Sequence, residues 1–310
     1  MTTTRRAFML KAGLLAGAAL NFNPLHAFAS DDGAGGGGDE SRPSRGRLLD
    51  INGVRTYVEE AGDGGPLVFV HGFALSSASW EASFAYFAGQ GHRAVRYDWR
   101  GHGRTGVGPT YRFPQLVDDL RVLLDDLEIE RAVICGHSMG GYIALAFAVQ
   151  HPHRVRKLIL ADTTPHDEVA SATGFCSFIE GPGGVESFWQ GFSPVLFSPA
   201  FASSHPAAIH SDHNRFLSNR PEGLCHALEA LAPGAYDARP SLGGIEMPTL
   251  VIAGGADVIF SPATVQQPLA AAIPGARLVL IPGAGHMSIE EQPAAFNAEV
   301  TSFLRADPED

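Results

Sequence analysis

Apolar residues in this chain fall into strand-length runs separated by helix-length segments. "PLVFV" begins at residue 66, "RAVRYD" at 93, "RAVIC" at 131, "RKLILAD" at 156, "PTLVIAG" at 248 and "ARLVLIP" at 276. Runs this short, branched and continuously apolar read as buried strands. Their alternation with helical lengths predicts a largely parallel sheet with helices on both faces. Ahead of them, "RLLDINGVRTYVEEAG" alternates on both sides of Asn52-Gly53, which predicts an antiparallel hairpin at one edge of that sheet.

One interval breaks the rhythm. From residue 163 to 242 no comparable strand appears, and the segment is rich in Pro, Phe, His and Ser. A structureless loop of that length does not belong in a compact domain. Phe175, Phe178, Phe188, Trp189, Phe192 and Phe197 give it apolar material of its own, so it reads as a helical lid inserted above the strand ends. The core is then residues 47–162 and 243–305. Residues 30–46, with "DDGAGGGGDESRPSRG", are too glycine-rich and charged to pack and read as a flexible tether.

The first 29 residues follow a different logic. Arg5 and Arg6 precede an apolar stretch of small residues that runs to Leu20, and Ala27 to Ala29 read "AFA". This is the pattern of a twin-arginine (Tat-type) signal peptide with a small-residue cleavage site, implying a periplasmic or extracellular protein with no membrane anchor after cleavage. The apolar stretch is about half of the roughly 20 residues that a spanning helix needs. The chain carries 33 acidic against 22 basic residues, a net charge of -11, and loss of Arg5, Arg6 and Lys11 would widen the imbalance. So acidic a surface is a poor partner for nucleic acid or anionic lipid. Of the cysteines, Cys135 lies in a strand-like run, whereas Cys176 and Cys225 share the lid segment and leave a disulfide open. Neither CxxC nor HExxH spacing occurs, so no metal site is expected. The oligomeric state is left open.

The chemistry centres on residues 133–148, "VICGHSMGGYIALAFA", where His137 and Ser138 interrupt an apolar strand-to-helix passage. Gly136-x-Ser138-x-Gly140 has the form of a nucleophile elbow, a strained turn that lifts a serine hydroxyl off the sheet edge. A hydroxyl needs a base to take its proton and a carboxylate to orient that base, and in this architecture they follow in the order serine, acid, histidine. Asp257 follows the "PTLVIAG" run and His286 follows "ARLVLIP", so both fall at the strand ends that carry Ser138. Asp162, at the end of "RKLILAD", is the rival acid. An oxyanion developing on an attacked carbonyl would be met by the backbone N–H groups of Met139 and, after "PLVFV", of Phe73 in "HGF", with Gly72 giving the approach. The side chains of Phe73 and Met139, with His137 packed beside the serine, are expected at the substrate pocket.

With "HGF" at 71, "DWRGHGRT" at 98, "GHSMGG" at 136, "AGGAD" at 253 and "GAGH" at 283 in place, the chain resembles the α/β-hydrolase superfamily over nearly all of residues 47–305. "HGFALSSASWE" followed by "YDWRGHGRT" looks closest to its small esterases, enol-lactonases and cofactor-free haloperoxidases. The resemblance implies a serine hydrolase acting on a small carboxylic ester or lactone through an acyl-enzyme, with no cofactor. Carbon–carbon hydrolysis of a diketone and perhydrolysis would use the same residues. A non-catalytic binding protein on this fold is the alternative from another class. The "HGGPG" of proline iminopeptidases is missing, and serine at the elbow separates the chain from haloalkane dehalogenases and epoxide hydrolases, which carry aspartate there. The "DWRGHG" turn is expected to be structural.

Overall fold

The computed structural model describes residues 45–167, 172–232 and 234–306. The signal peptide expected at residues 1–29 and nearly all of the tether lie outside the described residues. The end of the tether is corrected from residue 46 to 44 at the latest, because Arg45 and Gly46 already pair with Glu60 and Glu59 in strand β1 (Arg45–Ile51). β2 (Val54–Ala61) returns antiparallel. Asn52 and Gly53 both take positive φ, 49° and 77°, the conformation of a tight two-residue hairpin turn that Asn-Gly adopts readily.

The remaining strands are β3 (Pro66–Val70), β4 (Arg93–Tyr97), β5 (Ala132–His137), β6 (Val155–Ala161), β7 (Thr249–Gly254) and β8 (Arg277–Ile281). They form one sheet in the order β1-β2-β4-β3-β5-β6-β7-β8. The hairpin is antiparallel and joins β4 antiparallel; every other pair is parallel. After β3 the chain steps outward to β4, then returns to place β5 on the other side of β3. In open α/β sheets the crevice at such a reversal, outside the carboxyl ends of the strands, is where ligands bind.

Helices α1 (Glu81–Gly89), α2 (Phe113–Asp126) and α3 (Met139–Gln150) come before the insertion. Within it lie α4 (Ala172–Ile179), α5 (Gly184–Leu196), α6 (Pro199–Ser204), α7 (Pro206–Leu217) and α8 (Pro221–Ala230). After it come α9 (Gln267–Ala272), α10 (Ser288–Glu291) and α11 (Pro293–Arg305). The period-two alternation of β3 divides the core in two. Leu67 and Phe69 face Trp80, Phe87 and Phe296 on the α1/α11 side, whereas Val68 and Val70 face Leu120, Ile143 and Phe147 on the α2/α3 side. α3 is buried from Met139 to Ala148, so its sequence is apolar all round rather than striped.

The lid is helical as its aromatics require. Pro199, Pro206 and Pro221 each open a helix, at the first position, where a missing N–H costs nothing. A bridge between His166 and Asp237 closes the stem of the insertion, flanked by Asp167 N–H to Tyr236 O (3.0 Å) and Ala238 N–H to Pro165 O (2.8 Å). Phe188, Trp189, Phe197 and Phe216 form a separate cluster that reaches the core at Ala74, Leu75 and Met287. Phe178, expected to share in it, instead stands 51% exposed on α4. Cys176 and Cys225 are buried free thiols that hydrogen-bond each other across α4 and α8. Among the described residues no helix is long and apolar enough to cross a membrane.

Candidate active site

Ser138 sits between β5 and α3 with φ 52° and ψ -121°, a conformation that costs a non-glycine residue on the order of 1–3 kcal/mol. The turn is held from both sides. Ser138 N–H donates to Ala161 O at 3.0 Å, and the Ser138 carbonyl accepts from Gly141 N–H at 2.8 Å and Thr163 Oγ1 at 2.7 Å. The flanking glycines are needed for space: a Cβ on Gly136 would meet Gly140 O at 2.4 Å, and one on Gly140 would meet Val70 O at 2.2 Å. The tight turn therefore packs directly against the end of β3.

Three residues widely separated in sequence converge here. His286 Nε2 lies 2.9 Å from Ser138 Oγ, and His286 Nδ1 lies 2.9 Å from Asp257 Oδ2. Asp257 Oδ1 accepts from the N–H groups of Ile259 (2.8 Å) and Phe260 (3.0 Å), which fixes the carboxylate's rotamer. His286 and Asp257 are buried, whereas Ser138 keeps partial access to solvent. Burial opposes charge on His286, but the adjacent Asp257, through its charge and its hydrogen bond, holds the imidazole above its ordinary value of 6.5. An imidazole so placed can accept the serine proton and keep the resulting cation paired.

Asp162, the rival acid, lies near the imidazole but spends its hydrogen bonds on other groups. Its carboxyl takes Gly254 N–H (2.6 Å) and Ser288 Oγ–H, and burial together with the charge of Asp257 pushes it up to about 8. Near neutrality it is therefore largely protonated, which suits a buffer between strand ends rather than a partner for an imidazolium.

The "HGF" loop brings its backbone to the serine. A Cβ on Gly72 would stand 3.1 Å from Ser138 Cβ, so glycine is what permits the approach. Among the described residues neither Phe73 N–H nor Met139 N–H is bonded to a turn or loop acceptor; Met139 opens α3, where the first N–H groups lack intrahelical partners. The loop is braced from below: Trp99 Nε1–H donates to His71 O (3.0 Å), and His71 Nδ1–H donates to Gly72 O (2.8 Å). Burial lowers His71 to about 4, so it stays neutral. Asp98 adds Ser77 N–H (2.6 Å) and Arg104 N–H (2.8 Å), the structural part expected of the "DWRGHG" turn.

Phe73 packs edge-on against Phe188 of the lid and against His102, and Met139 is buried in the core on the α2/α3 side. His137 requires a correction. Rather than facing a pocket, its ring is fully buried against Trp80 and His286, and Nε2–H donates to the His286 carbonyl at 2.8 Å. Burial lowers it to about 3, leaving a neutral support for the histidine loop. Sequence reasoning missed three further contributors. Asn219 of the lid donates to Ala74 O (2.8 Å) and accepts from Gly103 N–H (3.0 Å); Gln266 donates toward Asp257 Oδ2 (3.4 Å); and Glu291 lies under the histidine loop. An isolated amide or carboxylate carries no spacing signal, so nothing in the sequence singles these three out. Two surface clefts of about 300 and 250 Å³ are lined by other residues and do not take in Ser138.

The chain belongs to the alpha/beta hydrolase family, whose family model matches residues 67–299. It is 33% identical over 241 residues to 3-oxoadipate enol-lactonase 2 of Acinetobacter baylyi, covering 77% of this chain and 88% of that protein. It is 26% identical to a non-heme chloroperoxidase of Kitasatospora aureofaciens, covering 82% and 97% respectively. The crystal structure of the enol-lactonase from Burkholderia xenovorans superposes with a TM-score of 0.78 at 29% identity, covering 83% of this chain and 99% of that one.

Proposed function

We propose that the protein is a serine hydrolase that cleaves a small carboxylic ester or lactone through an acyl-enzyme. The observation that carries this reading is the continuous chain Ser138 Oγ, His286, Asp257, with both links at 2.9 Å. Its enol-lactonase relatives favour the ester and lactone class. Ser138 Oγ attacks the carbonyl carbon while His286 Nε2 takes its proton, and the oxyanion turns toward the N–H groups of Phe73 and Met139. Two such donors, aimed at charge that exists only in the transition state, contribute about 3–4 kcal/mol each in comparable sites. The imidazolium then protonates the leaving oxygen, and water, activated by the same imidazole, releases the acid. In a lactone the leaving oxygen stays tethered to the acyl group, so one turnover opens the ring.

The chloroperoxidase relative supports a second reaction at the same acyl-enzyme: peroxide in place of water would release a peracid. Residues 1–29 would export the folded protein, and an export assay with Arg5 and Arg6 replaced by lysine tests that part. The hydrolase reading is tested with p-nitrophenyl acetate, butyrate and octanoate, an enol-lactone, a ring-fission diketone, and acetate plus peroxide, alongside Ser138→Ala and fluorophosphonate labelling. Turnover and labelling in the wild type only, with esters or lactones ahead of the other substrates, is the expected result. A Ser138→Ala variant that kept its rate would sink the mechanism, and absence of labelling with all substrates inert would favour a binding protein.

A further inference from the structure

His286 lies on the loop between β8 and α10, and its backbone is held at three successive positions. The residue before it, Gly285, donates its N–H to Glu291 Oε1 at 2.9 Å. Its own carbonyl accepts from His137 Nε2–H at 2.8 Å. The residue after it, Met287, donates its N–H to Leu196 O, the last residue of lid helix α5, at 3.1 Å. Two of these holds lead into the lid, because Glu291 is shared. Glu291 Oε1 also accepts Ser198 N–H at 3.1 Å, and Oε2 accepts Ser198 Oγ–H at 2.5 Å.

Ser198 lies in the short link between α5 and α6. Its Oγ caps α6 by accepting Phe201 N–H at 3.2 Å, so a single hydroxyl starts a lid helix and engages the carboxylate under the histidine loop. The approach is close enough to demand glycine. A Cβ on Gly285 would meet Ser198 N at 2.5 Å and Glu291 Oε1 at 2.8 Å. Glu291 is buried, and three donors converge on its two oxygens. Such a carboxylate has little freedom to move, and neither does anything bonded to it.

We propose that Glu291 is a positioning residue that couples the Leu196–Ser198 link of the lid to His286, so that the seated lid sets the reach of the imidazole toward Ser138. The inference rests on the reading of His286 as the base. It goes beyond that reading by giving the lid a part in catalysis as well as in shaping the pocket. A substrate that seats α5 and α6 would tighten the histidine loop through Ser198 and Glu291, and one that props the lid open would loosen it. Among the described residues, the acidic groups facing His286 are Asp257, Asp162, which holds its proton near neutrality, and Glu291, and the His137 ring beside it is neutral. Glu291 contributes to holding the imidazole above its ordinary value, although less than Asp257 does.

The test uses Glu291→Ala, Glu291→Gln and Ser198→Ala in the full chain. Alanine removes hold and charge together, and glutamine keeps an oxygen for Gly285 N–H but removes the charge. Displacing a catalytic group by about 1 Å costs on the order of 100-fold. The expected result is therefore a kcat about 100-fold lower in Glu291→Ala with KM little changed, partial rescue in Glu291→Gln, and an acid limb moved to lower pH in both. Ser198→Ala should raise amide exchange at residues 285–287. Titration of the His286 ring by NMR and exchange at those amides need no substrate, so they remain decisive if no ester is turned over and the hydrolase reading falls. If Glu291→Ala does not fold, Glu291→Gln and Ser198→Ala carry the test. Variants that fold with wild-type kcat, ring titration and amide protection would overturn the proposal.

Discussion

Replacing Asp257 by asparagine asks which carboxylate orients His286, and the geometry sets the size of the answer. Asp257 Oδ1 is occupied by the N–H groups of Ile259 and Phe260, so an asparagine at this position keeps its carbonyl oxygen there and turns its NH2 toward His286 Nδ1. That NH2 can only donate. The imidazole must then present a lone pair at Nδ1 and carry its hydrogen on Nε2, the nitrogen 2.9 Å from Ser138 Oγ. The serine proton meets a donor instead of a base. In a comparable triad this tautomer trap lowers kcat by about 10⁴, or roughly 5.5 kcal/mol at about 1.36 kcal/mol per decade. Asp162→Asn is the control, because Asp162 bonds Gly254 and Ser288 rather than the ring; its loss should stay within about tenfold, or about 1.4 kcal/mol. Steady-state kcat and KM on p-nitrophenyl acetate, normalised to active sites by the acylation burst, measure both. Equal losses in the two variants, or an Asp257→Asn enzyme within about tenfold of wild type, would refute the assignment.

Because Asp257 holds His286 above its ordinary 6.5, and because only the neutral ring accepts the serine proton, kcat/KM should fall as pH drops through a midpoint above 6.5; a pH–rate profile with an acid limb at or below that value contradicts the electrostatics. Asp162 is raised from 3.8 to about 8, so folding holds its proton; that stability is complete below pH 3.8 and is lost as pH rises through about 8. Chemical denaturation from pH 4 to 9 should therefore show Asp162→Asn with a flatter decline than wild type, and parallel curves would argue against a buried protonated acid. Gly140→Ala would drive a Cβ to 2.2 Å from Val70 O, separating the elbow from β3; the expected cost is about 1–3 kcal/mol of overpacking, seen in urea midpoints, together with loss of fluorophosphonate labelling.

What the sequence made legible was whatever the backbone repeats. Each strand has its own apolar run, the Asn52-Gly53 turn has its own dipeptide, and the elbow has its glycine spacing, because these are local solutions to local geometry. Ser138, Asp257 and His286 could be paired in advance for a related reason. Ser138 directly follows a strand and Asp257 and His286 lie on the loops that leave two others, and parallel strands deliver their ends to one edge, so strand order brings them together. His137 shows where that logic stops. Its position beside the serine is local, but whether its ring faces substrate or the underside of His286 depends on a carbonyl 149 residues away. Phe178 fails in the same way, since aromatic content predicts a lid cluster but not which aromatic the helix turns outward. Asn219 and Glu291 are the deeper case. Their work consists of hydrogen bonds to backbone groups of other segments, Ala74 and Gly103 for one, Gly285 and Ser198 for the other, and backbone acceptors and donors leave no mark in side-chain sequence. The side chains that converge at the elbow were therefore readable from order and spacing, whereas the residues that hold them in place became visible only with the folded chain.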